Sequence, residues 1–352
     1  MWLTCSSIGR KFVMALTGIC LVLFVTFHVL MNAVALIWPG AYNAVCEFLG
    51  ANWYALIASM GLGLLFIIHI IYALWLTVQN RRARGVDRYA VNAHYPGVEW
   101  SSKNMLVLGI VILAFLVVHM IQFWAKMQLQ ELLSHNLSAY PTVNGLIADP
   151  AYGTLFLEAA FSQWYTPVIY IIGFIALWFH MNHGFWSMFQ TIGWNNTIWL
   201  PRLKKIALWW TSIVVALFIA QAIVFTVRAH QNYYTTNEAL VEQYTEGLSA
   251  RAEEPVTKFM ESWQALQQQA MYGGGQQVME QFIAENGQEY LDQLAPIADA
   301  AKAMPAAASD RYLSTAMQIV DMLREHMQQP APAQEAEVPE AAPVEASTDS
   351  IN

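Results

Sequence analysis

Five stretches of this sequence, at about 12–38, 53–79, 104–125, 162–189 and 206–227, contain no Asp, Glu, Lys or Arg and are dominated by aliphatic and aromatic side chains. Each is near or above the roughly 20 residues that an α-helix needs to cross hydrocarbon, where the backbone must satisfy its own hydrogen bonds. Charged residues make up only 12% of the chain, well under the roughly 25% of an average soluble domain. The expected fold class is therefore an all-α membrane protein with a five-helix bundle in residues 1–228. Arg10 and Lys11 ahead of the first stretch, with Ala33-Val34-Ala35 at its end, imitate a signal peptide. The apolar run from Phe12 to Trp38 is much longer than a signal core, so it reads as a retained span.

Lys and Arg concentrate in cytoplasmic loops, which orients the five spans. Arg10 and Lys11 precede the first span, Arg81, Arg82, Arg84, Arg88 and Lys103 lie between the second and third, and Arg202, Lys204 and Lys205 lie between the fourth and fifth. The segment around Glu47 has no basic residue, and the long one after the third span has only Lys126, beside Glu131, Asp149 and Glu158. The N-terminus is thus expected in the cytoplasm and everything after Arg228 outside. Trp38, Trp53, Trp124, Trp164, Trp199 and Trp209 fall near span ends, as interfacial aromatics do.

The remainder has a different composition. Residues 1–228 hold twelve Lys+Arg against six Asp+Glu, whereas 229–352 hold five against nineteen. The acidic part from 229 to 329 is expected to form short amphipathic helices, with Leu313, Met317, Val320 and Leu323 along one face and breaks at Pro255, Gly273-Gly274-Gly275, Pro296 and Pro305. Residues 330–352, rich in Pro, Ala and Glu, read as disordered. This tail is either a solvated appendage or an outside partner-binding or dimer-capping unit.

The chemistry-bearing residues are histidines. Cys5, Cys20 and Cys46 are too few and too scattered for an iron–sulfur cluster, a redox pair or a disulfide framework. His28, His69, His119, His180 and His183 lie within spans, where ionisable side chains are scarce and usually functional. Each of the first four spans carries one about 15 to 18 residues after its start. Neighbouring spans run in opposite directions, so equal offsets become two depths: His28 with His119 toward the outer face, His69 with His180 toward the inner. A low-spin haem b takes two axial imidazoles on opposite faces of the ring, and two histidines at one depth on different helices supply them. Two pairs imply two haems, with irons very roughly 12 to 18 Å apart along the membrane normal. His183, one turn from His180, is an alternative inner ligand by periodicity alone. Interhelical hydrogen bonding is the alternative role for any single histidine, and His94, His135, His230 and His326 fall in loops or tail. Gly61, Gly63, Gly109, Gly173 and Gly184 are small residues near these positions.

The stretch Ser6-Ser7-Ile8-Gly9-Arg10-Lys11 with Leu16-Thr17-Gly18, then His28, His69 followed by Arg81-Arg82, His119, and His180-Met181-Asn182-His183-Gly184-Phe185-Trp186 carry a further signal. With these features the chain resembles the cytochrome b subunit of B-type succinate:quinone oxidoreductases, the group that includes dihaem quinol:fumarate reductases. The resemblance runs from the start to about Arg228. It implies that His28 and His119 ligate an outer haem b and His69 and His180 an inner one. It also implies a flavoprotein subunit with FAD and an iron–sulfur subunit docked on the cytoplasmic face of a bacterial cytoplasmic membrane. Menaquinone or menaquinol is the implied substrate, reacting near the outer haem, with Glu47 as the quinol's proton acceptor. The alternative for Glu47 is a solvated loop carboxylate, and Arg10, Lys11, Arg81 and Arg82 need no role beyond orienting the chain. A dimer of complexes is compatible with this reading, and no nucleic-acid partner is expected.

Two other classes compete. A histidine-relay proton channel or transporter would be expected to bury Asp or Glu in its spans, and none is there. The cytochrome b anchor of another respiratory dehydrogenase would bring fewer spans or two ligands on one helix. An anchor without haem is the structural alternative.

Overall fold

The computed structural model describes residues 6–84, 99–133, 137–271 and 275–328. Arg88, His94, His135, Gly273-Gly274 and the 330–352 segment lie outside the described residues. Helix α1 (Ser7–Ile37) is capped by Ser6, whose hydroxyl accepts from Gly9 N at 2.9 Å. Pro39 then opens the short α2 (Pro39–Gly50), where its missing N–H has no partner to lose. Glu47, placed by sequence in a loop, therefore sits on a helix. Helix α3 (Trp53–Arg84) is followed by α4 (Trp100–His119), which continues into a π-helical stretch (Met120–Leu129) and α5 (Gln130–Leu133). A two-stranded hairpin follows, β1 (Thr142–Val143) antiparallel to β2 (Leu146–Ile147), with Thr142 opposite Ile147. Its turn residues Asn144 and Gly145 both have positive φ, 51° and 85°, which the tight hairpin turn requires. Helix α6 (Gly153–Phe161) leads to α7 (Tyr165–Thr191) and α8 (Trp199–His230).

The helices α1, α3, α4 with its continuation, α7 and α8 are each long and apolar enough to cross a membrane. Large side chains such as Ile57, Ile71, Ile110, Ile172 and Ile213 are exposed on their outer surfaces, an apolar area that calls for lipid. The chain is a multi-pass, all-α membrane protein. Trp38, Trp53, Trp164 and Trp199 are exposed near the helix ends, and Trp209 is exposed three turns into α8.

Side-chain contacts fix which ends lie together. Arg10 of α1 stacks on Trp75 of α3 at 5.3 Å, and Glu99, His183 and Lys204 meet where α4 begins, α7 ends and α8 begins. At the opposite end Arg228 of α8 donates to Ala35 O and Leu36 O of α1, at 2.7 and 2.9 Å. Helix α1 packs on α3 and α7, α7 packs on α4, and α3 touches α4 lightly, so these four form a ring with α8 set against α1 and α7. The diagonal partners, α1 with α4 and α3 with α7, make at most a grazing approach. No residue of α3 from Trp53 to Ala83 is fully buried, which marks it as the edge of the bundle.

The acidic part is helical but not in short pieces. After α9 (Tyr233–Thr236) come α10 (Glu238–Ala270), α11 (Gly275–Lys302) and α12 (Arg311–Gln328), with a 3-10 turn at Pro305–Ser309. The breaks expected at Pro255 and Pro296 do not occur, since both prolines lie inside helices. An internal proline costs about 3 kcal/mol. Burial of Val256 and Phe259 beside the first, and Leu294 and Ile297 beside the second, contributes roughly 1.5–3 kcal/mol for each side chain and offsets it. Leu313, Val320 and Leu323 are buried in the face that periodicity marks out.

These helices form a cap bolted to the end of the bundle that carries α2. Gln243 accepts from Asn43 Nδ2 at 3.0 Å and donates to Gly40 O at 3.2 Å. Tyr244 Oη accepts from Ile147 N at 2.8 Å, and Arg251 pairs with Asp149. One hydrophobic core joins Leu146, Ile147, Leu155 and Phe156 to Tyr244, Leu248, Phe259, Leu294 and Leu323. The cap is therefore continuous with the hairpin segment and is not a free appendage.

Candidate functional site

Four histidines of four different helices face each other in two pairs, across the two diagonals of the ring. His28 of α1 meets His119 of α4 with ring centres 5.8 Å apart, and His69 of α3 meets His180 of α7 at 6.4 Å. Three helices measure the distance between the pairs. Thr17, in contact with His69, precedes His28 by eleven residues of α1; Gly109, beside His180, precedes His119 by ten of α4; and Tyr170, in contact with His119, precedes His180 by ten of α7. At 1.5 Å per residue the pairs are roughly 15 Å apart along the bundle. The layer between them is apolar and includes Val22, Val25, Phe115, Phe174 and Leu177.

Each pair has its own surroundings. His119 Nδ1 lies 3.2 Å from Tyr170 Oη, which donates to Gln122 Oε1 at 2.9 Å, while Gln122 Nε2 donates to Thr166 Oγ1 at 3.0 Å. Phe115, Phe123 and Tyr170 ring His119, and Phe24 and Phe218 ring His28, at centroid distances between 5.3 and 6.2 Å. Asn32 Nδ2 donates to His28 O at 2.8 Å and approaches the His28 ring at 3.3 Å. In the other pair, His69 Nδ1 lies 3.1 Å from Thr17 Oγ1, whose hydrogen goes back to Val13 O or Met14 O. His180 Nδ1 is buried without a hydrogen-bond partner. A Cβ at Gly109 would come to 3.8 Å from the His180 ring, and one at Gly173 would run into Phe115, so Gly173 serves the close packing of α7 on α4.

His183, indistinguishable from His180 by periodicity, points elsewhere: its Nδ1 lies 3.2 Å from Glu99 Oε2 and its ring meets Trp186 edge-on at 4.8 Å. Lys204 Nζ bonds the other Glu99 oxygen at 2.9 Å. Burial alone would raise the Glu99 pKa, but the hydrogen bonds from Lys204 and His183 outweigh it and hold the carboxyl below its ordinary range. His230 and His326 are exposed and each contacts the carbonyl one turn back.

The pairs can be tested against the group they suggest. An imidazole nitrogen about 2 Å from a first-row metal, and about 1.1 Å from its own ring centre, puts the centres of two trans imidazoles roughly 6 Å apart. Both observed separations meet that demand, the diagonal helices stand apart, and the partnerless His180 nitrogen offers a lone pair or a hydrogen to a ligand. Both ring separations therefore suit two imidazoles that share one haem iron. Among the described residues no three His, Cys, Asp or Glu side chains converge as a metal-ion site, and a haem iron asks for two.

Glu47 is exposed on α2, and among the described residues no hydrogen bond or ring contact joins it to either pair. Its charge is felt at Tyr152, whose phenol is pushed up to about 12, first by burial and then by Asp149 and Glu47 against Arg251. Two carboxylates are buried at this end, Asp149, which pairs with Arg251, and Glu158 of α6, 2% exposed. Glu158 accepts from Tyr234 N at 3.3 Å and from Asn144 Nδ2 at 3.4 Å. Burial pushes its pKa up to about 7, against those two hydrogen bonds. In the sequence Glu158 was simply one acidic residue of an outer connection. The apolar stretch Leu155-Phe156-Leu157 just before it was the signal that the segment is buried. Tyr170 and Gln122 had no sequence signal and Thr17 had one only as part of Leu16-Thr17-Gly18, because their partners lie far away in the chain or follow from the π-helical winding after His119. No family model matches the chain, and no curated protein or solved structure matches it.

Proposed function

We propose that this chain is the dihaem cytochrome b membrane anchor of a B-type succinate:quinone oxidoreductase, carrying electrons between quinone and an iron–sulfur subunit. The observation that carries the reading is the pairing of four histidines across the two diagonals of one helix ring at two depths. His28 and His119 would hold one haem b and His69 and His180 the other. A bound haem supplies one-electron transfer at its iron; the chain supplies ligands, orientation and an apolar layer that keeps water away. Menaquinone is the proposed quinone, reacting at the end that carries the cap, with Glu47 accepting the quinol's proton. The flavoprotein and iron–sulfur subunits are assigned to the opposite end. That end carries Arg10, Lys11, Arg81, Arg82, Lys103, Lys204 and Lys205, which supports a cytoplasmic orientation in a bacterial membrane with the cap outside. A proton relay through the same histidines would need a polar path across Val25, Phe115 and Phe174, and none of the spans offers a carboxylate there.

The test is the haem-to-protein ratio of the purified membrane protein by pyridine haemochromogen assay. Two protohaems per chain are expected. A folded preparation with none overturns the cytochrome reading.

A further inference from the structure

In each histidine pair one ring has its hydrogen placed by a side-chain hydroxyl of a neighbouring helix. Tyr170 has a single hydroxyl hydrogen, and it goes to Gln122 Oε1 at 2.9 Å. Gln122 presents that oxygen because its amide nitrogen is engaged by Thr166 Oγ1 at 3.0 Å. Tyr170 Oη can then only accept from His119, 3.2 Å away, so His119 carries its hydrogen on Nδ1. The π-helical stretch that begins right after His119 brings Gln122 to the same phenol. Thr17 repeats the logic with a different acceptor. Its only hydrogen is bound to the carbonyl of Val13 or Met14, at 3.0 and 3.1 Å, which leaves Oγ1 to accept from His69 Nδ1 at 3.1 Å. Both rings are left with an Nε2 lone pair free for a metal.

We propose that Tyr170, held by Gln122, and Thr17 are positioning residues that fix His119 and His69 as Nδ1–H tautomers, so that each presents Nε2 to its own haem iron and each haem potential is tuned separately. The inference rests on the dihaem reading and goes beyond it, since axial ligation alone requires neither hydroxyl. An imidazole that donates its second N–H to an acceptor is a more basic ligand and favours the oxidised iron. Removing the acceptor therefore raises the midpoint potential of that haem and leaves the other where it was.

The experiment is a redox titration of the full-length protein, followed by its haem absorption bands, in the wild type, Tyr170→Phe, Thr17→Val and Gln122→Leu. Tyr170→Phe is expected to keep both haems and shift one couple upward, and Thr17→Val to shift the other. Gln122→Leu leaves the phenol hydrogen free to compete for His119 and is expected to move the same couple as Tyr170→Phe, by less. Two-haem variants with both couples unmoved, or Tyr170→Phe and Thr17→Val moving the same couple, overturn the proposal. If Tyr170→Phe sheds a haem, Gln122→Leu decides: a raised or lost couple supports the proposal and an unmoved one overturns it. A wild-type protein without haem would instead sink the dihaem reading, a result distinct from any of these.

Discussion

The two histidine pairs share one backbone plan and differ in what encloses them. His28 and His119 stand in a collar of Phe24, Phe115, Phe123, Tyr170 and Phe218, below the end of the bundle that the cap covers. His69 and His180 have a threonine hydroxyl, a glycine and a nitrogen without partner, and one wall of their site is α3, no residue of which is fully buried from Trp53 to Ala83. Two pairs of the same imidazoles are therefore not equivalent, and if each holds a haem as proposed, the two haems lie in different surroundings. Polarity, hydrogen bonds to the ligand and access to solvent set the properties of the bound group, and here these differ within one chain.

Replacing the histidines themselves is expected to have the largest effect. On the proposed dihaem reading, Ala at His28 or His119 is expected to cost one haem of two, and Ala at His69 or His180 the other, with the lost absorption band identifying which. Loss of both haems from any single replacement would mean that the sites are not independent. A smaller effect belongs to the cover over the aromatic pair. The folded pKa of Glu158, about 7, lies above its ordinary value of 4.5. The stability tied to its neutral form is fully present below pH 4.5 and lost as pH rises through about 7, a change on the order of 3 kcal/mol. Glu158→Gln should therefore flatten the pH dependence of cap protection, read as limited proteolysis of residues 233–328 at pH 5 and pH 8. An unchanged pH profile would remove Glu158 from the account. The smallest effect is expected at His183, which is committed to Glu99 and Trp186. His183→Ala should keep both haems, and loss of the haem at His69 would reassign the ligand.

Much of this arrangement was legible in the sequence because a span is a ruler. A histidine 15 to 18 residues into each of four antiparallel helices has a depth, and depth alone pairs His28 with His119 and His69 with His180. What periodicity could not supply was direction around the helix. His180 and His183 share a face to within one turn, and only Glu99, 84 residues away, shows which of them turns aside. The hydroxyls of Thr17 and Tyr170 look like ordinary span residues until the fold brings them to histidines 52 and 51 residues distant. Pro255 and Pro296 misled for the opposite reason, as local rules for proline gave way to the burial of the apolar side chains around them. Docking of the cap rests on polar contacts such as Asn43 with Gln243, 200 residues apart, and no repeat or motif announces those.

That last contact has a consequence for the order of events during synthesis. Chains are made from the N-terminus, and domains generally fold in that order. Asn43 and the 142–158 segment wait for α10 until all five spans have been made. Until Gln243, Tyr244 and Arg251 arrive, the end of the bundle beside His28 and His119 has no cover from the cap. The cap is therefore made after the helices that carry both histidine pairs, and a nascent chain cut short before α10 leaves this end of the bundle without it.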